Sequence, residues 1–214
     1  MDTVELFAGT CSFSKVAKKL GHEIFTIDNN PNFKTDVTIN ILELNTLGSY
    51  CDMLWASPPC TTFSVASMGA HWTGGKGAYI PKTEKCKTGL KILDKTIQLI
   101  AQSETKYWFI ENPRGVMRKV IDEIFKKYGI TDYVRNTITY CQYGDNRMKP
   151  TDIWTNCKEW EPRAMCKNGA PCHEAAPRGS KTGTQGLKGN MERSVIPPAL
   201  FYEIFGDIQN EPNN

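Results

Sequence analysis

The chain has 214 residues, enough for one good hydrophobic core and a small appendage. At 40% hydrophobic and 23% charged it has the composition of a globular protein, and no apolar run is long enough to span a membrane. The net charge of +3 permits an anionic partner without demanding one, and Met1 to Phe7 carries neither a basic start nor an apolar targeting segment, so the expected location is cytoplasmic.

In chain order, Val4-Glu5-Leu6-Phe7-Ala8 reads as a strand. A helix is expected from Thr10 to Gly21, with Phe13, Val16, Ala17 and Leu20 on one face, Ser12 as N-cap and Gly21 as stop. Ile24 to Asp28 and Asp52 to Ala56 read as further strands, the second running into Ser57-Pro58-Pro59-Cys60. The Gly-rich stretch from Ser67 to Lys87 is expected to be a mobile loop. Gly89 to Ser103 has helical periodicity, Tyr107 to Ile110 is a strand ending at Glu111-Asn112-Pro113, and Val116 to Phe125 is a helix ended near Gly129. Strands are expected at Tyr133–Tyr140 and Asp152–Thr155, and a short helix at Pro198–Phe205.

Strands alternating with helices predict an α/β fold with a mostly parallel sheet covered on both faces. Ligands of such sheets bind beyond the carboxyl ends of the strands, where Gly9, Asp28, Cys60 and Glu111 all fall. A strand running into the Gly9 turn and then a helix lets backbone approach a ligand closely, although a plain tight turn has the same look. Asp28 stands where a carboxylate can accept from both ribose hydroxyls of a nucleoside, a solvated turn residue being the alternative, and Asp36-Val37 where it lines an adenine pocket or forms a simple surface turn. The two prolines before Cys60 stiffen the loop and present the thiol in a fixed pose, as suits a nucleophile.

Taken together, these elements resemble the cytosine-C5 DNA methyltransferase family. Glu5-Leu6-Phe7-Ala8-Gly9 is similar to its first cofactor motif, Pro59-Cys60 to its catalytic dipeptide, and Glu111-Asn112 to its Glu-Asn motif. Tyr143-Gly144-Asp145-Asn146-Arg147-Met148-Lys149 resembles its Gly-x-x-x-Arg-x-Arg element, with Lys149 in the second basic place. Ser194 to Leu200 resembles the closing motif, which returns to complete the cofactor pocket. Departures are Thr61 after the cysteine, where Gln is usual, Pro113 in place of Val, and Gly189-Asn190 displaced upstream of the closing motif.

The resemblance implies a Rossmann-like fold dependent on S-adenosylmethionine. It implies a cofactor pocket lined by Phe7, Ala8, Gly9, Thr10, Cys11, Asp28, Asn29, Asp36, Val37, Pro58, Ser194 and Val195. It implies catalysis by Cys60, which adds to C6 of the cytosine, by Glu111, which contacts the N3 and amino edge, and by Arg147, which holds the ring carbonyl and helps position Cys60. Asn112 is expected to orient the loop. A paired base cannot present C6, so duplex DNA must flip the target out. Lys76, Lys82, Lys85 and Lys87 are placed to close over its backbone. RNA or single-stranded DNA are alternative substrates. An amino-methyltransferase is a weaker fit, since it wants an aromatic residue where Cys60 stands, and a silent nucleic-acid-binding module would not need Cys60, Glu111 and Arg147 together.

The chain divides into a catalytic domain, 1–155, a Cys/Gly/Lys-rich target-recognition insert, 156–190, and a returning C-terminal helix, 191–214. So small an insert suits a virus or mobile element such as a phage, hence host-cell cytoplasm, with roles from protection against restriction to DNA marking. Cys157-x8-Cys166-x5-Cys172 has the first spacings of a CCCH zinc finger, with His173 following at once, so these four are the expected zinc ligands; three unconnected thiols are the alternative. Pro177 to Gly186 mixes basic, hydroxyl and Gly residues suited to phosphate contacts.

Overall fold

Buried strands in this chain carry apolar side chains on both faces, which demands cover on both sides of the sheet. The computed structural model describes residues 1–48, 50–74, 77–175, 187 and 189–209. Its strands are β1 (Asp2–Leu6), β2 (Glu23–Asp28), β3 (Val37–Thr38), β4 (Met53–Ala56), β5 (Trp72–Thr73), β6 (Ile80–Pro81), β7 (Tyr107–Pro113), β8 (Val134–Thr139) and β9 (Pro150–Thr155). Its helices are α1 (Ser12–Lys19), α2 (Met68–His71), α3 (Glu84–Gln102), α4 (Met117–Lys127), α5 (Asn190–Ser194) and α6 (Pro198–Gln209).

Seven strands form one sheet in the order β3-β2-β1-β4-β7-β9-β8, with β5 and β6 a separate hairpin. Strands β3, β2, β1, β4 and β7 are mutually parallel, and β9 runs antiparallel to both of its neighbours. The mostly parallel α/β fold expected from the sequence is the one observed. The order turns back between β1 and β4, so the loops leaving their carboxyl ends, Phe7–Cys11 and Ser57–Cys60, flank the crevice where such sheets bind ligands.

The period-2 alternation of the central strands splits the core in two. Leu54 and Ala56 of β4 and Trp108 and Ile110 of β7 pack with Leu93, Ile97 and Ile100 of α3 and Ile121 and Phe125 of α4. On the other face Met53, Trp55, Tyr107 and Phe109 pack with Phe13 and Val16 of α1 and Phe201 and Phe205 of α6. Phe13 is the hinge of this second layer, with ring centroids 6.0 Å from Trp55, 5.5 Å from Phe201 and 5.4 Å from Phe205. Burial of each such ring contributes roughly 1.5–3 kcal/mol, which is how the last helix is bound beside the first.

Three local expectations change. The stretch from Ser67 to Lys87 is not a bare loop: it holds α2, the β5–β6 hairpin and the first turn of α3, which is capped by Thr83 accepting from Cys86 N at 3.2 Å. Its anchor is Trp72, buried against Phe63 and donating its indole N–H to Thr62 O at 2.6 Å, a tertiary contact invisible in a Gly-rich pattern. Lys82 donates to Gly69 O at 2.6 Å and Lys87 pairs with Glu84, so these two serve the local fold, while Lys76 lies outside the described residues. The N-cap of α1 is Cys11, in left-handed backbone (φ 54°), rather than Ser12, whose hydroxyl accepts from Ile196 N at 3.2 Å and fastens the end of the chain to its beginning. The segment from Pro177 to Gly186 also lies outside the described residues.

Candidate active site

Strand β1 ends in a turn of unusual backbone: Phe7 (φ 59°), Gly9 (φ 47°) and Cys11 (φ 54°) all take left-handed conformations. Two carboxylates brace it. Asp28, at the end of β2, accepts from Gly9 N at 3.0 Å and from Asn30 N at 2.8 Å, one bond per oxygen, leaving lone pairs on each for a ligand hydroxyl. Glu5, buried in β1, accepts from Phe13 N (3.3 Å), Ser14 N (3.0 Å) and Ser14 Oγ (2.5 Å) at the start of α1. Burial nevertheless pushes its carboxyl up to about 7, the hydrogen bonds opposing.

Beside this turn a small, partly open pocket is lined by Phe7, Ile27, Asp28, Asn29, Ile39, Asn40, Ile41, Pro59 and Ile92. Apolar walls with a carboxylate at the strand end suit a nucleoside, the base between the walls and the hydroxyls on Asp28, so the residues present fit the cofactor that the fold implies. A second cleft lies between the start of α1 and the closing segment, lined by Thr10, Ser12, Lys15, Val195 and Ile196 among others.

The structure corrects part of the expected lining. Asp36 is turned to β2, where its carboxylate accepts from Thr26 N at 2.8 Å and Thr26 Oγ1 at 2.7 Å, bonds that hold its pKa below the usual carboxylate value. Val37 is taken up by pairing with Ile27, and Ile39 to Ile41 stand in the pocket instead. Pro58 is buried and gives its carbonyl to Asn112, so Pro59 is the proline facing the pocket. Ala8 is buried and Cys11 Sγ donates to Gly9 O at 3.8 Å. The hydroxyl of Ser194 donates to Met191 O at 2.7 Å, away from the first pocket.

Cys60 stands at the end of the loop that leaves β4. It is accessible to solvent, yet enough protein surrounds it that burial raises its thiol above the ordinary value, and the negative Glu111 adds to this. Lys149 and Arg193 oppose the rise. Its carbonyl accepts from Phe63 N (3.0 Å) and Ser64 N (3.1 Å), closing a turn. That turn is pinned against Gly115, where a β-carbon would meet Phe63 O at 2.1 Å. Asn112, at the end of β7, donates from Nδ2 to Pro58 O at 2.9 Å and ties the Pro-Pro-Cys loop to the neighbouring strand.

Glu111 is buried on β7 and accepts from the fully buried Tyr140 hydroxyl at 2.9 Å. Lys149 comes from the β8–β9 connection, in left-handed backbone (φ 28°). Its ammonium sits 4.4 Å from the Tyr140 ring centroid and donates to Arg193 O at 3.1 Å. Burial holds its pKa below the ordinary lysine value, against the pull of Glu111 and Cys60.

Arg147 is the main correction at the site. Its guanidinium does not face the thiol: Nε bonds the Asp145 carboxylate at 2.8 Å, Nη2 bonds Asp145 and Val195 O (3.0 Å), and Nη1 bonds Glu192 O and Arg193 O, each at 3.2 Å. All five N–H donors are thereby used within the protein. The side chain clamps the closing segment to the β8–β9 loop, and Lys149, over the Tyr140 ring, is the cation of that motif whose charge acts on Cys60 and Glu111. Alternation along the short Arg-Met-Lys run would put Arg147 and Lys149, two residues apart, on one face; the left-handed backbone at Lys149 and the hold of Asp145 on Arg147 separate them.

The expected metal ligands also regroup. Cys157 is fully buried in the core beside Trp160, whereas Cys166, Cys172 and His173 meet Cys141, from the turn after β8. Among the described residues no helix is long and apolar enough to cross a membrane.

The sheet order and the crevice it opens are those of the S-adenosylmethionine-dependent methyltransferase fold. Two solved structures share it. One is a DNA modification methyltransferase, so described, encoded within a prophage of E. coli (TM-score 0.53, 14% identity, 72% of this chain and 46% of that one). The other is the Entamoeba histolytica methyltransferase EhMeth (TM-score 0.51, 15% identity, 76% and 55%). The chain spans about half the length of these structures. No protein-family model matches the chain. In sequence the chain is 28% identical over 222 aligned positions, 95% of its own length and 98% of the other, to a protein of Frog virus 3 (isolate Goorha) described as a probable DNA (cytosine-5)-methyltransferase. The resemblance to that family therefore extends along nearly the whole chain, and the viral source of this relative agrees with the compact, mobile-element character read from the sequence.

Proposed function

We propose that the chain transfers a methyl group from S-adenosylmethionine to carbon 5 of cytosine in DNA, with Cys60 as covalent nucleophile. The observation that carries this reading is that Glu111 and Lys149 meet at Tyr140 while Cys60 follows Pro59, which lines the pocket at the sheet's crevice. Bound there, the cofactor supplies an electrophilic methyl on a sulfonium.

The residues divide the remaining work. Cys60 loses its proton and forms a bond to C6, which makes C5 electron-rich. The Lys149 ammonium favours the thiolate and is placed to meet the ring carbonyl, the role that Arg147 cannot fill while all its donors are engaged. Glu111, held by Tyr140, contacts the N3 and amino edge. After methylation the C5 proton is lost, the bond between sulfur and C6 breaks, and the thiolate is restored. Phe7, Asp28, Asn29 and Pro59 hold the nucleoside part of the cofactor, and Thr10 and Val195 lie along the second cleft. Residues 1–155 with 191–214 act as the catalytic body and 156–190 as the target-recognition insert. The target cytosine must leave its duplex to reach Cys60.

The test is incubation with methyl-tritiated S-adenosylmethionine and DNA or RNA of mixed sequence, followed by digestion to nucleosides. Labelled 5-methyl-deoxycytidine is expected. Label on RNA cytosine would change the substrate and keep Cys60, and label on an exocyclic amino group would remove Cys60 from its covalent role.

A further inference from the structure

We propose that Cys141, Cys166, Cys172 and His173 bind one structural zinc ion that clips the recognition insert to the loop carrying Arg147 and Lys149. The four ligand atoms all lie within 4.8 Å of one another. Nδ1 of His173 is 3.6 Å from Cys166 Sγ and 3.6 Å from Cys172 Sγ, and Cys141 Sγ is 3.1 Å from Cys166 Sγ. A tetrahedral ion with Zn–S bonds of about 2.3 Å sets its ligand atoms about 3.5–3.8 Å apart, so small adjustments complete the cage. Three thiols converging on an imidazole have no other strong partner to offer one another, since S–H is a weak donor. The side chain of Gln142 donates to Cys172 Sγ at 3.4 Å, the kind of outer contact that orients a thiolate ligand.

The surroundings give the ion a task. Between Glu161 and Ala175 no residue belongs to the buried hydrophobic core, so packing alone does little to hold this stretch. Its other ties are polar: Arg163 bonds Glu203 and Gln142 O, Cys166 N bonds Thr139 Oγ1 at 3.0 Å, and Glu174 N bonds Asn146 O at 2.9 Å. The last of these reaches the residue before Arg147. Zinc would close the set, displacing three thiol protons to solvent and leaving one net negative charge on the cage. Cys157 takes no part, because it is buried in the core away from the cluster.

The experiment measures zinc by mass spectrometry in the full-length protein purified under reducing conditions. It compares the wild type with Cys166→Ser, Cys172→Ser and Cys157→Ala. One zinc per chain is expected in the wild type and in Cys157→Ala, falling to a small fraction in the other two. Cobalt(II) titration of the metal-stripped wild type gives a readout that does not depend on any variant folding. Intense ligand-field bands of a tetrahedral thiolate site are expected. Wild type without stoichiometric metal and without cobalt bands would overturn the proposal. So would peptide mapping without reductant that finds Cys141 linked to Cys166, or loss of the metal in Cys157→Ala alone.

Discussion

Glu5 should make the stability of this protein fall as pH rises through neutrality, and Glu5→Gln should remove that dependence. The carboxyl is raised from 4.5 to about 7, chiefly by burial. The folded protein therefore holds a proton more tightly than the unfolded chain does. Between those two values the folded state binds more protons, so raising the pH through that window destabilises it, with no further change above or below. The gap corresponds to about 3 kcal/mol. Glutamine keeps a carbonyl to accept from Ser14 N and carries no charge to bury. Urea unfolding followed by tryptophan fluorescence, at about pH 5 and about pH 8.5, should show Glu5→Gln gaining about 3 kcal/mol on the wild type between the two conditions. Parallel profiles would mean that the three hydrogen bonds from α1 outweigh burial and that Glu5 is ionised throughout. Because Glu5 underlies the Phe7–Gly9 turn, the same titration should weaken cofactor binding towards alkaline pH in the wild type only.

Four further outcomes are expected. Cys60→Ser should abolish methyl transfer while leaving S-adenosylmethionine affinity, read by calorimetry, unchanged. The alkylation rate of Cys60 followed by peptide mass spectrometry should rise at lower pH in Glu111→Gln and at higher pH in Lys149→Met, since Glu111 raises the thiol and Lys149 lowers it. Arg147→Met should cost roughly 3–5 kcal/mol of stability by stranding the Asp145 carboxylate, whereas Lys149→Met should lose activity with far less loss of stability, as chemical denaturation and turnover together would show. Gly115→Ala should push Phe63 and the Cys60 turn aside, because its β-carbon would fall 2.1 Å from Phe63 O; a displacement of that size costs roughly 100-fold in rate, and unchanged turnover would contradict the packing.

What the sequence made legible was what local pattern controls. The strands of the parallel sheet, the two long helices and the chemistry-bearing strand ends followed from periodicity and from turn residues, and β7 merely runs on through Glu111-Asn112 to Pro113. What it hid depends on distant partners. Asp36 reads as a pocket residue until Thr26 is found to bind it. The Gly-rich stretch reads as a loop until Trp72 is seen against Phe63. Spacing put Cys157 among the metal ligands, but its position directly after β9 buries it, while the fold returns Cys141, 25 residues before Cys166, to the vacated corner. Linear spacing cannot reveal a ligand supplied by another hairpin.

The connection between β8 and β9 emerges as the organiser of the site. Tyr140 at its start holds Glu111, Arg147 near its end binds the carbonyls of residues 192, 193 and 195, and Lys149 closes on the thiol. Cys141 lies between them, close to Cys166, Cys172 and His173. One short loop thus contacts Glu111, the segment 192–195 and Cys166 at once. These ties converge on a single loop. Their convergence predicts non-additive behaviour. Loss of the Arg147 clamp and loss of the Cys166 thiol act on the same loop, so the double variant should lose less stability than the two single losses combined, because residues sharing a network couple by about 0.5–3 kcal/mol. Strict additivity in a double-mutant cycle would show that the two ties act independently and that the loop is not their common anchor.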